Sequence, residues 1–179
     1  MIRFAAGPPA AVWVHPGLGR GRSRIDGDGL FARQDLDAGL LVVRLGGRLV
    51  SSSELEALLA AVDPNDRYVD TITVDDDAHL VLPAGTAAHW CNHGCDPNLW
   101  HTGPYDIATR RPVRAGDELI LDYGTNSGAA GFRMPCRCAS PGCRGEVTSD
   151  DWRRPELQAR YQGHWTPVLQ SRIDRLPPG

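Results

Sequence analysis

A ten-residue stretch near the middle of the chain, His89–Asn98, constrains the fold more than any other. It contains two cysteines, two histidines and two asparagines, together with one glycine and one proline in its second half. Proline lacks a backbone N–H and glycine weakens regular structure, so neither a helix nor a central strand fits that half. The stretch must therefore display its polar side chains from an irregular turn.

Composition predicts a single domain built mainly from β-structure. The chain has 179 residues, of which 41% are hydrophobic, enough to bury one good core. Its 20 glycines and 14 prolines are scattered among apolar runs, which favours a turn-rich β fold with few helices over disorder. The formal charge of -3 argues against direct nucleic-acid binding. No apolar run reaches membrane-spanning length, and the start does not resemble a secretory signal, so we expect no membrane partner.

The cysteines indicate a reducing compartment. There are five, an odd number, and all lie in the second half of the chain. This pattern fits metal-bound thiolates better than a disulfide framework, so we expect a cytoplasmic protein. All 19 basic residues are arginine.

Cys136, Cys138 and Cys143 lie within eight residues that have no apolar core of their own. A zinc ion bound by these thiolates would organise such a segment. The fourth ligand must come from elsewhere, either from Cys91, from Cys95 or from a histidine. We favour Cys95, because its irregular turn lets a side chain point outward, whereas Cys91 follows Trp90 in a run that looks buried. A redox dithiol is the weaker alternative, because redox pairs usually have two residues between the cysteines.

Local patterns predict the other elements. A basic glycine-rich loop is expected at 17–24, and a hairpin turning at Gly46 and Gly47 at 39–50. Capping-box spacing from Ser53 to Glu56 begins a helix that ends before Asp63 and Pro64. The tail should form two helices, from Pro155 and after Thr166, with its aromatic residues packed on the core. Four strands are expected at Tyr68–Val74, His79–Leu82, Asp106–Val113 and Glu118–Tyr123.

Four motifs together resemble the SET-domain protein lysine methyltransferases. In chain order they are Gly27–Ala32, Asn92–Asn98, Glu118–Tyr123 and the cysteine segment Cys136–Gly145, which looks like a post-SET zinc module. The resemblance spans about two-thirds of the chain. It predicts a SET domain over 1–126 with its core motifs from about residue 23, a post-SET module over 127–146, and a C-terminal helical extension over 147–179.

The resemblance also implies a fold and a set of functional residues. It implies several small β-sheets with a pseudoknot, in which the last strand threads beneath a loop around Asn92, His93 and Tyr123. It implies S-adenosylmethionine held by backbone groups around Gly27, Gly29 and Leu30, with Asn92 and His93 also lining that site. Tyr123 is then the active-site tyrosine, and the zinc ligands are Cys95, Cys136, Cys138 and Cys143.

The implied activity is S-adenosylmethionine-dependent methylation of a lysine in a protein substrate. Two alternatives remain open: a zinc-stabilised scaffold or reader without turnover, and a methyltransferase for a small amine. Gly94 stands where the family usually has serine, and His89 where arginine is frequent. Leu121 occupies the position where the family often has a phenylalanine or tyrosine that limits methylation, so we expect room for di- or trimethylation.

Overall fold

The computed structural model describes residues 7–62 and 69–177. Its strands, in chain order, are β1 (Trp13–Val14), β2 (Leu18–Arg22), β3 (Asp28–Ala32), β4 (Leu41–Arg44), β5 (Arg48–Val50), β6 (Thr71–Asp75), β7 (Ala78–Val81), β8 (Asn92–His93), β9 (Leu99–His101), β10 (Asp106–Thr109), β11 (Glu118–Leu121), β12 (Arg133–Pro135) and β13 (Glu146–Thr148). The helices are α1 (Ser52–Ala60), α2 (Pro155–Arg160) and α3 (Pro167–Asp174). Three 3-10 turns lie at Ala87–Trp90, Tyr123–Thr125 and Asp151–Arg153. The fold is mainly β with few helices, as predicted.

The strands form four small sheets. The orders are β1-β4-β10-β9, β2-β3-β11-β8 and β5-β7-β6, and β12 pairs with β13 alone. The last pair crosses the predicted boundary between 146 and 147, because β13 begins at Glu146. The post-SET segment and the tail therefore share a hairpin.

β8 and β11 run parallel and bring the two central motifs together. Ile120 pairs with Asn92, and Leu121 pairs with His93. The side chain of Asn98 bonds to β11 from the loop after β8: its Nδ2 donates to the Glu118 carbonyl at 2.7 Å, and its Oδ1 accepts from the Ile120 N–H at 2.8 Å. A loop held across β11, the strand that leads to Tyr123, is the local arrangement that the expected pseudoknot requires.

Two apolar clusters support the sheets. The larger lies among the strands and contains Leu30, Leu119 and Leu121. The smaller belongs to the tail and includes Trp152, Tyr161 and Trp165, which are buried as predicted. The tail is joined to the rest of the fold by the Thr166 N–H, which donates to the Thr125 carbonyl at 3.0 Å.

Two local predictions are wrong. The expected hairpin at 39–50 does not form, because β4 pairs with β1 and β10 while β5 pairs with β7 in another sheet. A Cβ at Gly46 would lie 2.6 Å from the Pro9 carbonyl oxygen, so close backbone packing requires a glycine there. The basic loop expected at 17–24 is instead mostly strand β2, whose hairpin with β3 turns at Gly27, with φ of 46°.

Helix α1 forms where predicted, but its capping box lies two residues earlier. Ser51 Oγ accepts from the Glu54 N–H at 3.2 Å, and Glu54 accepts in return from the Ser51 N–H at 2.7 Å. Both tail helices are present, α2 from Pro155 and α3 from Pro167. Tyr68 and the predicted stop at Asp63 and Pro64 lie outside the described residues. Among the helices within the described ranges, none has the length and apolarity to cross a bilayer.

Candidate active site

A cleft of about 960 Å³ runs between the β2–β3 loop, helix α1 and the segment after β11. This volume is at the upper end of the range of small-molecule sites. Most of its lining is apolar, and polar groups enter at a few positions. Among the lining residues are Ile25, Asp26, Asn92, His93, Leu121 and Tyr123. Four of the predicted site residues therefore share one cavity.

Tyr123 begins the 3-10 turn that follows β11 and lines the cleft. Its hydroxyl donates to the Cys91 carbonyl at 2.7 Å, and its backbone N–H donates to His93 Nδ1 at 3.2 Å. Tyr123 is thereby held by its hydroxyl to the residue before β8 and by its backbone to a residue of β8. A fixed hydroxyl at the wall of an apolar cavity can orient a polar substrate atom without a covalent step.

His93 is buried between the tyrosine turn and the thiol cluster. Burial lowers its pKa to about 4, so the imidazole is neutral near pH 7. Because Nδ1 accepts the Tyr123 N–H, the proton resides on Nε2, which lies 3.6 Å from Cys95 Sγ. His93 thus uses both ring nitrogens to connect Cys95 with Tyr123.

Asn92 braces the β2–β3 loop. Its Nδ2 donates to the carbonyls of Asp26 at 3.2 Å and Asp28 at 3.0 Å, and to Glu118 Oε1 at 2.8 Å. The Glu118 carboxylate also accepts from Ser23 Oγ, at 2.8 Å on Oε1 and 3.0 Å on Oε2. Sequence reasoning missed Glu118 as part of the site, although it opens the third motif.

The cleft is lined by the residues just before the glycine motif and not by the motif itself. Ile25 and Asp26 line the cavity, whereas Gly27, Gly29 and Leu30 are not among the lining residues described. Leu30 is fully buried in the larger core, so its side chain anchors β3, which follows the loop, to that core. A Cβ at Gly29 would lie 2.8 Å from the Glu118 carboxyl carbon, so the absence of a side chain lets Glu118 reach the loop.

Leu121 lies at the end of β11 and lines the cleft beside Tyr123. Its side chain is 4% exposed and belongs to the larger core cluster. An aliphatic side chain at this position offers no hydrogen bond to an amine or a water. This is the position that the sequence predicted for the substrate channel.

Four thiols converge beside the site. The sulfurs of Cys95, Cys136, Cys138 and Cys143 all lie within 4.8 Å of one another. Four sulfurs at about 2.3 Å from one tetrahedral ion are about 3.8 Å apart. The Cys95 and Cys136 sulfurs are separated by 3.7 Å, so the set fits a zinc ion. Cys95 itself is 1% exposed, so its side chain points inward and not outward, contrary to our argument for choosing it.

Within the cluster the surroundings favour a thiolate at Cys138, whereas burial raises the pKa of Cys95 and of Cys136. Burial opposes ionisation of Cys138, but hydrogen bonds from Ser140 Oγ at 3.2 Å and from the Cys95 N–H at 3.5 Å outweigh it and lower its pKa to about 6. Cys91 differs, because complete burial raises its pKa to about 12 and keeps it protonated. Cys91 is therefore a buried structural thiol, as predicted.

A buried charge network lies behind Tyr123. The guanidinium of Arg144 forms a two-pronged pair with the Asp122 carboxylate, at 2.7 and 2.6 Å, and the Tyr161 hydroxyl donates to the same carboxylate at 2.9 Å. Burial alone would raise the pKa of Asp122, but the Arg144 cation outweighs this effect and lowers it. The sequence did not predict this network; a charged residue next to Tyr123 at the end of an apolar strand was the available signal.

Comparison with known families matches residues 27–124 to the SET domain. The chain belongs to the SET-domain family. The matched range includes Tyr123, Asn92 and His93, and it ends before the cysteine segment. The SET assignment predicted from four motifs is thus confirmed.

Similar proteins include several histone-lysine methyltransferases. Trithorax of Drosophila virilis is 33% identical over 69% of this chain, and histone-lysine N-methyltransferase 2B of Homo sapiens is 31% identical over 69%. The Arabidopsis thaliana histone H3-lysine(4) N-trimethyltransferase ATX1 is 31% identical over 75%. The chain spans only 3%, 5% and 13% of the length of these proteins.

Among solved structures, the methyltransferase domain of human histone-lysine N-methyltransferase SETMAR is similar in fold. The TM-score is 0.57 and the identity is 20%, with 79% of this chain and 59% of that chain covered. The coverage of this chain exceeds the range that the SET-domain match spans. The SET fold predicted from the sequence is therefore shown.

Proposed function

We propose that this SET domain is an S-adenosylmethionine-dependent methyltransferase that acts on lysine side chains of a protein. One observation carries the proposal: the hydroxyl-anchored Tyr123 lies in the same cleft as Asn92, His93 and the loop at Ile25 and Asp26. When bound, S-adenosylmethionine supplies an activated methyl group on a sulfonium sulfur. The residues that would hold it are Asn92, His93 and the backbone near Gly27, as the resemblance implies.

The apolar lining prepares a lysine amine for attack. A free lysine has a pKa of about 10.4, so roughly one molecule in a thousand is neutral near pH 7.4. Val43, Ile107 and Leu121 line the cleft with apolar side chains, which disfavour the charged ammonium because they remove water without offering it a hydrogen bond, although Asp26 and Asp70 line the same cleft. The neutral amine, which is the form that attacks a methyl group, is thereby enriched.

The polar residues beside Tyr123 can orient the reacting groups, and they add no net charge to the site. His93 stays neutral, so it adds no positive charge next to a sulfonium. Asp122 is ionised but fully paired with Arg144, and its 0% exposure keeps it away from the cleft. Tyr123 is a polar group of the cleft that can direct the amine and the methyl group in line.

The thiol cluster supports a structural role for zinc. Four thiolates fill a tetrahedral shell and leave no position for a water or a substrate. The ion would replace the apolar core that the segment from Cys136 to Cys143 lacks. Free thiols in this number also support the expectation of a reducing compartment, and we propose the cytoplasm.

Tyr123→Phe tests the proposal. Removing the hydroxyl leaves the ring in place, so cofactor affinity should be unchanged, while methyl transfer should fall by about 10²-fold because one positioned polar group is lost. Transfer from labelled S-adenosylmethionine to lysine-containing proteins measures turnover, and isothermal titration measures affinity. Tyr105→Phe is the matched control, because Tyr105 is a buried tyrosine outside the cleft.

Near-wild-type rates in Tyr123→Phe would remove Tyr123 from the active site. If the wild-type protein does not bind S-adenosylmethionine, the scaffold alternative is correct. If it binds the cofactor and methylates small amines in preference to proteins, the third alternative is correct.

A further inference from the structure

Arg144 is a buried cation with no place in the chemistry described above. It directly follows the last cysteine of the cluster, and its side chain is 5% exposed. Its guanidinium bonds both oxygens of Asp122 and lies 3.0 Å from Asp151 Oδ2. A two-pronged pair of this kind fixes the orientation of both partners, which a lysine cannot do.

Asp122 passes this constraint to the turn that carries Tyr123. Its Oδ1 accepts from the Gly124 N–H at 3.0 Å, and its carbonyl accepts from Thr125 Oγ1 at 2.7 Å. The carboxylate therefore caps the 3-10 turn from Tyr123 to Thr125. Fixing the carboxylate fixes the backbone on both sides of Tyr123.

The other end of Arg144 touches the thiol cluster. Its backbone N–H donates to Cys95 Sγ at 3.4 Å. The tail joins at the same place, because Arg160 Nη1 donates to the Cys95 carbonyl at 2.7 Å. One residue thus contacts the cluster through its backbone and the tyrosine turn through its side chain.

We propose that Arg144 is a positioning residue for methyl transfer. It holds the Asp122 cap, and its own position depends on the folded thiol cluster. Loss of the folded cluster should therefore loosen the turn that carries Tyr123. This role rests on the proposed methyltransferase function. Arg144 is buried and is not among the residues that line the cleft, so its loss should slow turnover and leave cofactor binding intact.

The test compares Arg144→Lys with Arg154→Lys. Lysine keeps the charge but cannot hold both Asp122 oxygens. Arg154 is the control because it forms an exposed pair with Glu156. In Arg144→Lys we expect kcat to fall by about 10²-fold, the scale of a displacement of about 1 Å, with the KM for S-adenosylmethionine and the zinc content within twofold. Arg154→Lys should match the wild type.

Amide hydrogen exchange at Gly124 gives a second measurement that needs no activity. We expect exchange to be at least tenfold faster in Arg144→Lys than in Arg154→Lys, because the cap of the turn is loosened. If Arg144→Lys does not fold, the wild type is treated with a zinc chelator, and exchange should rise at Gly124 together with the amides of 136–145.

Two results would overturn the inference: a folded Arg144→Lys with wild-type kcat and Gly124 exchange, or chelation that exposes 136–145 while Gly124 stays protected. Failure of the proposed function looks different. In that case the wild type itself transfers no methyl group, and the exchange measurements still decide whether Arg144 couples the cluster to the turn.

Discussion

The Glu118 carboxylate, at the start of β11, holds the β2–β3 loop. Oε1 accepts from Ser23 Oγ and from Asn92 Nδ2, both at 2.8 Å. Ser23 Oγ in turn accepts from the Ile25 N–H at 2.9 Å, and Ile25 lines the cleft. Glu118→Gln keeps the shape of the side chain, removes its charge and replaces one acceptor with a donor.

The magnitude follows from the bonds that change. A hydrogen bond to a charged group contributes about 1.5–3 kcal/mol, and a neutral one about 0.5–1.5 kcal/mol. Two donors lose their charged acceptor, so the loop should lose about 2 kcal/mol, taking the lower end because Glu118 is half-buried. If this loss destabilises the loop conformation that binds the cofactor relative to other conformations, the Kd for S-adenosylmethionine should rise by about 30-fold.

Isothermal titration of the folded variant with S-adenosylmethionine measures this change. Glu156→Gln is the control, because Glu156 is exposed and pairs with Arg154 in the tail. Both variants should melt close to the wild type if the effect is confined to the loop. A Glu118→Gln protein that is folded and binds with wild-type affinity would refute the assignment of Glu118 as the anchor of the cofactor loop.

Two further outcomes are expected. The wild type should form di- or trimethyllysine, whereas Leu121→Tyr, which adds bulk and a hydroxyl beside Tyr123, should stop at monomethyllysine; mass spectra showing only monomethylation by the wild type would contradict this. Burial lowers the pKa of His101 to about 4, so between about pH 6.5 and 4 only the unfolded chain takes up its proton. The free energy of unfolding should then fall as pH falls, by at most about 1.4 kcal/mol per unit, and urea unfolding of His101→Phe should show a shallower slope. An equal slope in the two proteins would contradict this role of His101.

The sequence predicted best where chemistry is concentrated in a short segment. Three clustered cysteines indicated a metal site, and Cys95 was chosen over Cys91 although the stated reason, an outward-pointing side chain, was wrong. The two thiols differ in what surrounds them, since Cys91 packs in the core and Cys95 faces the other thiols. That difference is set by tertiary packing, which local turn chemistry does not reveal.

Long-range pairing was the part that local patterns could not give. Two apolar runs around Gly46 and Gly47 fit a hairpin as well as they fit strands of two different sheets, because the same φ freedom serves a tight turn and a close crossing. The Asp122 and Arg144 pair likewise joins residues in different motifs. No periodic signal links such positions, so only the three-dimensional fold identifies the partner.

The order of synthesis matters for the contacts that Arg144 and Tyr161 make with Asp122, next to Tyr123. Asp122 and Tyr123 leave the ribosome before Arg144, and Tyr161 follows later still, so the carboxylate lacks its cation and the Tyr161 hydroxyl when its strand first emerges. A buried carboxylate without its cation is strongly unfavourable. The turn can therefore gain all of these contacts only after Arg144 and Tyr161 have been made. We expect a nascent chain that already contains every residue of the SET-domain match to remain inactive until Arg144 and Tyr161 have folded against Asp122.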